Sequence, residues 1–340
     1  MLSADYEHDF DTECATAGEA PRIAAAAALL EMGDRLGLVS LIATGDEVTV
    51  ESLAKAADLP ESGVAGYCEA LESAAIIVPV GTSGTVFRAA DDFATIRHQA
   101  GFVSWTMNAN RPFIENARAF LTDPSRGTGI DMRDGREVAV SSEWMGSVAF
   151  YPAALSTILR SKPEIVVDLG AGTCRLLIEI LRRLPQSRAV GLDLDGPSCE
   201  AARQAAEAAV LADRLQVIHR SIQSIADDPS PLEGADVIHG GFVFHDMMPE
   251  EEQTADRVLA NCREALRDGG IMAITEAVPY LRNERERRFS AAVTYYHRQF
   301  MKRRLLSEDE WKRKLRSAGF TRVESIELPF PTGRLFVAER

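Results

Sequence analysis

Two histidines and one acidic neighbour are the side chains best suited to chemistry in this chain of 340 residues. His245 and Asp246 stand in Phe242-Val243-Phe244-His245-Asp246, and His297 stands in the aromatic run Thr294-Tyr295-Tyr296-His297-Arg298-Gln299-Phe300. Neutral imidazoles are the commonest ligands for iron or zinc, and a pair of them leaves several coordination positions open. A histidine on an aromatic helix face is also a common packed core residue, so spacing alone does not choose. For His245 the structural alternative is a cap on a helix expected over 249–266.

These residues need a scaffold, and an open α/β sheet supplies one. The run Ile165-Val166-Val167-Asp168-Leu169 breaks into Gly170-Ala171-Gly172, and Ala189-Val190-Gly191-Leu192 ends in Asp193. A β-rich run, a Gly-x-Gly turn, a helix and a second run ending in an acid build a nucleoside site, with the acid placed to take both ribose hydroxyls. Arg175 occupies the place where a dinucleotide fingerprint requires a small residue, and the loop lacks the Gly-Lys-Ser/Thr ending that holds a triphosphate. S-adenosylmethionine remains, since it needs close backbone approach and no diphosphate cradle. A further strand over 235–240 leads to His245 at the edge where α/β enzymes place substrate, and the strand 271–276 follows.

This succession resembles the class I S-adenosylmethionine-dependent methyltransferases from about residue 161 to 340. The resemblance implies a doubly wound, mostly parallel sheet and a cofactor contacted by Asp168, Gly170, Ala171, Gly172, Asp193, Leu194, Ser221 and Ile222. After the strand Leu215–His219 the family commonly has a Gly-Asp pair whose carboxylate contacts the adenine amine, and Ser221-Ile222 stand there instead. Adenine is then expected to rest on backbone groups and the apolar faces of Leu194 and Ile222.

The chain is long enough for two cores, and its hydrophobic content of 46% is that of an ordinary globular protein. A net charge of −14 argues against a phosphate-binding surface, so nucleic acid is not an expected partner. Five scattered cysteines without Cys-x-x-Cys spacing suggest neither a disulfide framework nor a thiolate metal site, which fits a cytoplasmic protein. Neither a leader pattern nor an apolar run near the ~20 residues of a membrane span is apparent, so no membrane partner is expected.

Toward the N-terminus, helices are expected over 23–38, 50–57 and 60–75, followed by a hairpin over 76–87, the order of a winged helix. Glu61, Glu69 and Glu72 on the third helix would repel phosphates, so a scaffold is expected rather than a DNA reader. A winged-helix regulator sensing a nucleoside is the reading of another class, and salt-sensitive DNA retention would reveal it. A winged helix ahead of such a methyltransferase resembles the small-molecule O-methyltransferases, which implies a homodimer and a substrate cover. The expected domains are 1–93 (winged-helix dimerisation), 94–160 (connecting helices and substrate cover) and 161–340 (catalytic). Helices are expected over 93–121 and 141–160, joined by a polar connector that carries Arg126, Arg133 and Arg136.

His245-Asp246 and His297, with Trp105 in Val103-Ser104-Trp105 and Arg133 in Arg133-Asp134-Gly135, resemble the 2-oxo acid C-methyltransferases of nonribosomal-peptide antibiotic biosynthesis. That resemblance implies non-haem iron, or another transition metal, held by His245 and His297. It further implies that Arg133 receives the substrate carboxylate, with Arg126 as its rival, and that Trp105 packs on the substrate. Phe242 and Tyr296 would favour an apolar or aromatic side chain on the 2-oxo acid. Such a metal stabilises an enolate as a Lewis acid, so that carbon 3 takes the methyl and a 3-methyl-2-oxo acid results. Asp246 would orient a ligand or shuttle the proton. The alternative is a metal-free O-methyltransferase in which His245 is the general base.

Overall fold

The computed structural model describes residues 19–82, 84–123, 133–279 and 284–340. The chain divides into two units, one of residues 1–117 and 131–148, the other of residues 118–130 and 149–340.

In the first unit the elements run α1 (Glu19–Arg35), α2 (Leu38–Ile42), β1 (Val48–Thr49), α3 (Val50–Ala57), α4 (Glu61–Ser73), β2 (Ile77–Pro79), β3 (Val86–Ala89) and α5 (Phe93–Val103). Thr49 starts α3 by a reciprocal cap: its hydroxyl accepts the Ser52 N–H at 3.0 Å, and its own N–H donates to the Ser52 hydroxyl at 2.9 Å. Strands pair antiparallel in the order β1-β3-β2. The expected helix, helix, hairpin order is therefore present. Its core of Leu30, Leu38, Leu53, Val64, Leu71 and Ile77 continues into Phe93, Ile96 and Trp144, so the described residues show no distinct winged-helix subdomain.

The single helix expected over 93–121 is broken. A π-helical turn, Ser104–Ala109, follows α5, and then α6 (Arg111–Glu115) and α7 (Ala117–Thr122). Pro112 sits in the first turn of α6, where its missing N–H costs nothing, and the Asn110 side-chain amide donates to the Trp105 carbonyl at 2.7 Å. Proline explains the second break as well. The helix expected over 141–160 is α8 (Gly135–Ala149) and α9 (Tyr151–Ser161), with Pro152 opening α9.

The second unit continues with β4 (Ile165–Leu169), α10 (Arg175–Arg183), β5 (Arg188–Asp193), α11 (Gly196–Ala208), β6 (Leu215–His219), β7 (Ala235–Gly241), α12 (Glu252–Ala265), β8 (Leu266–Ala277), α13 (Glu284–Tyr295), α14 (Glu308–Ser317), β9 (Arg322–Glu327) and β10 (Gly333–Glu339). The sheet order is β6-β5-β4-β7-β8-β10-β9. The first five strands are parallel, and β10 is antiparallel to both its neighbours. Alternate residues of the strands feed two cores. Val167, Leu169, Ile238 and Ile274 pack with α12 and α14, while Val166 and Val237 pack with α9, α10 and α11. This mixed sheet between two helical layers is the class I methyltransferase architecture that the strand and turn pattern predicts.

At the rim of α14 the Glu308 carboxylate accepts from Lys312 at 2.6 Å, from the Ser325 hydroxyl, and from Arg334 Nε at 3.1 Å. The Lys312 and Ser325 hydrogen bonds, helped by Arg334, hold its carboxyl down to about 2. A carboxyl depressed on folding stabilises above its unfolded value and loses that contribution as the pH falls toward the folded one. Glu308→Gln should therefore be less stable than the parent at pH 7 by about 1 kcal/mol or less, given the partial exposure. In urea unfolding the gap should close between about pH 5 and pH 2. An equal gap at pH 7 and pH 3 would refute the assignment.

Candidate active site

Sheet order reverses at β4: β5 and β6 lie on one side, β7 and β8 on the other. Connections that diverge there open a crevice outside the carboxyl ends of β4 and β7, where open α/β sheets bind ligands.

The β4 turn is stitched to the end of β5. The N–H groups of Gly170 and Ala171 both donate to the Leu192 carbonyl at 2.8 Å, and the Gly172 N–H donates to Asp193 Oδ2 at 2.7 Å. Asp193 Oδ1 accepts from the Asp195 N–H at 2.8 Å, so the carboxylate is fixed at the crevice mouth beside the turn. The two glycines have different reasons. At Gly170 (φ 72°) a Cβ would come within 2.3 Å of Val243 Cγ1, so that glycine lets the loop after β7 close on the turn. At Gly172 (φ 52°) the space within 4 Å is open, as close backbone approach by a ligand requires. Cys174 closes the turn in the left-handed region. Burial pushes its thiol up to about 12, which makes it a packing group and not a nucleophile. Leu194 is 68% exposed beyond Asp193, and Ser221 and the buried Ile222 open the short turn after β6.

The chemical half of the crevice follows β7. His245 lies buried in a single 3-10 turn, Phe244–Met247, and its Nδ1 is 2.7 Å from Glu276 Oε2. The other oxygen of Glu276 accepts the backbone N–H groups of Phe244 at 2.9 Å and His245 at 3.2 Å. Glu276, at the carboxyl end of β8, is fully buried and fixes both the turn and the ring. His245 thus does not cap the next helix, which begins after Glu251. The side chain of Asp246 is about half exposed. Its Oδ1 lies 3.7 Å from His245 Nε2 and 3.6 Å from Arg303 Nε.

His297 sits in the π-helical turn Tyr296–Phe300 that continues α13. Its ring meets that of His245 edge to face with centroids 5.0 Å apart, and its Nδ1 is 2.7 Å from the Val293 carbonyl. Both rings turn Nδ1 to an oxygen acceptor, so Nε2 is the nitrogen through which each would take a proton or a metal. Phe242 adopts φ 55° and packs against Phe150 at 4.8 Å and Phe330 at 5.8 Å, forming an aromatic wall. Tyr296 is half-buried against Phe300, and burial pushes its phenol up.

Of the residues singled out in the sequence, those of the β4 turn, Asp193, Phe242, His245, Asp246, Tyr296 and His297 all fall in the second unit. Trp105, buried in the other π-helical turn, and the half-buried Arg133 belong to the first unit. Arg126 lies outside the described residues. Sequence reasoning missed Glu276. Its signal was an acid closing the apolar strand Ile271-Met272-Ala273-Ile274-Thr275, next to the strand that leads to His245. Among the described residues no group of three or more His, Cys, Asp or Glu is arranged to hold a metal, and no helix is long and apolar enough to cross a membrane.

Residues 167–272 match the family described as "Methyltransferase domain". Methyltransferase ungE' of Aspergillus campestris is 23% identical over 231 residues, which are 67% of this chain and 66% of that protein. Aclacinomycin 10-hydroxylase RdmB of Streptomyces purpurascens is 30% identical over 170 residues, 48% of this chain and 43% of that one. The chain thus spans less than two thirds of the length of these curated relatives. Among solved structures, the mitomycin 7-O-methyltransferase MmcR superposes with a TM-score of 0.53 at 18% identity, covering 98% of this chain and 99% of that one.

Proposed function

We propose that this chain, which carries a class I S-adenosylmethionine-dependent methyltransferase domain, methylates a hydroxyl of a small molecule with His245 as the general base. The observation that carries this reading is the buried Glu276–His245 hydrogen bond at the crevice edge. With Nδ1–H held by the carboxylate, Nε2 is the basic nitrogen. It takes the hydroxyl proton as the oxygen attacks the sulfonium methyl, and Glu276 stabilises the imidazolium that forms. A methyl ether and S-adenosylhomocysteine result, with the proton left on His245. Phe242 and Tyr296 suit a flat aromatic acceptor. Asp168, Gly170, Ala171, Gly172, Asp193, Leu194, Ser221 and Ile222 would hold the cofactor. A cover and a homodimer contact built from the first unit belong to the same proposal.

One observation favours a second reading: His297 facing His245. Two buried imidazoles, each with Nδ1 fixed by an oxygen, form a donor set that suits iron or another transition metal. His245 and His297 would hold the ion, which when bound would supply Lewis-acid stabilisation of a 2-oxo acid enolate. In that case Arg133 would pair with the substrate carboxylate, Trp105 would pack on its side chain, and Asp246 would orient a ligand or shuttle the proton.

A panel of phenols and 2-oxo acids offered with S-adenosylmethionine and read by product mass separates the two, alongside metal analysis of the parent and His297→Ala. The first reading expects methylated phenols and substantial turnover in His297→Ala. Near-stoichiometric metal that is lost in His297→Ala, together with methylated 2-oxo acids and inert phenols, would replace it by the second.

A further inference from the structure

In a chain whose net charge is −14, the turn that carries His297 and the loop after it hold four cations, Arg298, Lys302, Arg303 and Arg304. Arg304 is neutralised by Glu252 at 3.2 Å and Glu310 at 2.7 Å. Among the described residues the other three meet one acid, Asp246, which lies 3.6 Å from Arg303 Nε. Lys302 Nζ donates to the Gln299 carbonyl at 2.6 Å, and Arg298 is exposed. A local excess of positive charge beside a crevice, on a protein that is acidic elsewhere, favours an anionic ligand there.

Arg303 is the cation positioned to use it. Its backbone N–H donates to the His297 carbonyl at 2.8 Å, and the next one, of Arg304, donates to the Met248 carbonyl at 3.1 Å. The residue is thereby fixed between the turn of His297 and the turn of His245, in the same unit as both. Asp246 Oδ1 stands 3.6 Å from Arg303 Nε and 3.7 Å from His245 Nε2, beyond hydrogen-bond reach of either. It draws the guanidinium toward the base nitrogen by charge and leaves both Nη groups without a partner among the described residues. We infer that the acceptor is an aromatic hydroxy acid, its carboxylate taken by the Nη fork of Arg303 while His245 Nε2 takes the proton of a hydroxyl on the same ring. One oxygen within 3.7 Å of both groups means that a single ring can span them. The carboxylate is held and leaves unchanged, and Asp246 is a positioning residue for the guanidinium. This rests on the hydroxyl-methylation reading above.

Matched pairs test the inference: each hydroxybenzoate isomer against its neutral hydroxybenzamide, offered with S-adenosylmethionine to the parent and to Arg303→Gln. In the parent, kcat/KM for the best hydroxybenzoate should exceed that for its amide by about tenfold or more, with the difference in KM. Arg303→Gln should lose about 10- to 100-fold on the hydroxybenzoate and change the amide by less than about threefold. Equal use of acid and amide by the parent, an unchanged Arg303→Gln, or equal losses on both substrates would overturn the inference while leaving hydroxyl methylation standing. A parent that makes no methyl ether from either series would overturn both.

Discussion

Glu276→Gln is expected to lower turnover by about 10²- to 10³-fold while leaving the fold nearly as stable as before. The amide oxygen can still accept the N–H groups of Phe244 and His245, so the turn that carries the histidine keeps its anchor. The amide NH2 then faces His245 Nδ1 and can only donate. That drives the ring to the tautomer with hydrogen on Nε2, the nitrogen that must take the substrate proton. Imidazole nitrogen shifts in the NMR spectrum would report the switch without any substrate, and kcat on the acceptor from the panel would report its consequence. Normal turnover in Glu276→Gln would remove the base role from His245. Under the metal reading the same substitution weakens the ion by about 10- to 100-fold, because the acceptor behind a ligating histidine sets its basicity.

Why Glu276 escaped a sequence reading while His245 did not is a matter of range. His245 and Asp246 announce themselves as polar residues directly after an apolar strand, and the Gly-x-Gly turn with Asp193 is a local signature whose parts touch through neighbouring loops. Glu276 acts across 31 positions, and its role appears only once β7 and β8 are known to be adjacent. The strands were legible because parallel strands buried on both faces are continuous apolar runs. Helix continuity was less so. The π-helical turns at Trp105 and His297 keep helical spacing and composition, and only the backbone reveals the widened turn. Both such turns carry a residue singled out for chemistry, which fits the tendency of these irregularities to occur at functional sites.

The second large effect concerns the element that carries His297. Arg334 of β10 meets Glu286 of α13 fork to fork, Nη1 to Oε1 at 3.2 Å and Nη2 to Oε2 at 3.4 Å, with the glutamate side chain 1% exposed. Arg334 Nη1 also donates to the Gly333 carbonyl, and Nε to Glu308, so the guanidinium ties the first turn of α13 to the sheet and to α14. Removing Arg334 takes two charge-assisted hydrogen bonds from a buried carboxylate, so Arg334→Leu should destabilise the protein by about 3 kcal/mol. Arg334→Leu combined with Glu286→Leu should recover most of that loss, since a buried ion pair is often worth little more than apolar groups of similar volume. Urea unfolding of the parent, both single variants and the double variant measures the cycle. Single variants within about 1 kcal/mol of the parent would show that the pair is not holding α13. The double variant separates stability from positioning. If its stability returns but turnover does not, the ion pair fixes the direction in which α13 delivers the turn Tyr296–Phe300, with the Tyr296 ring proposed for the acceptor, to the site. If both return, packing of α13 on the sheet is enough to place that turn.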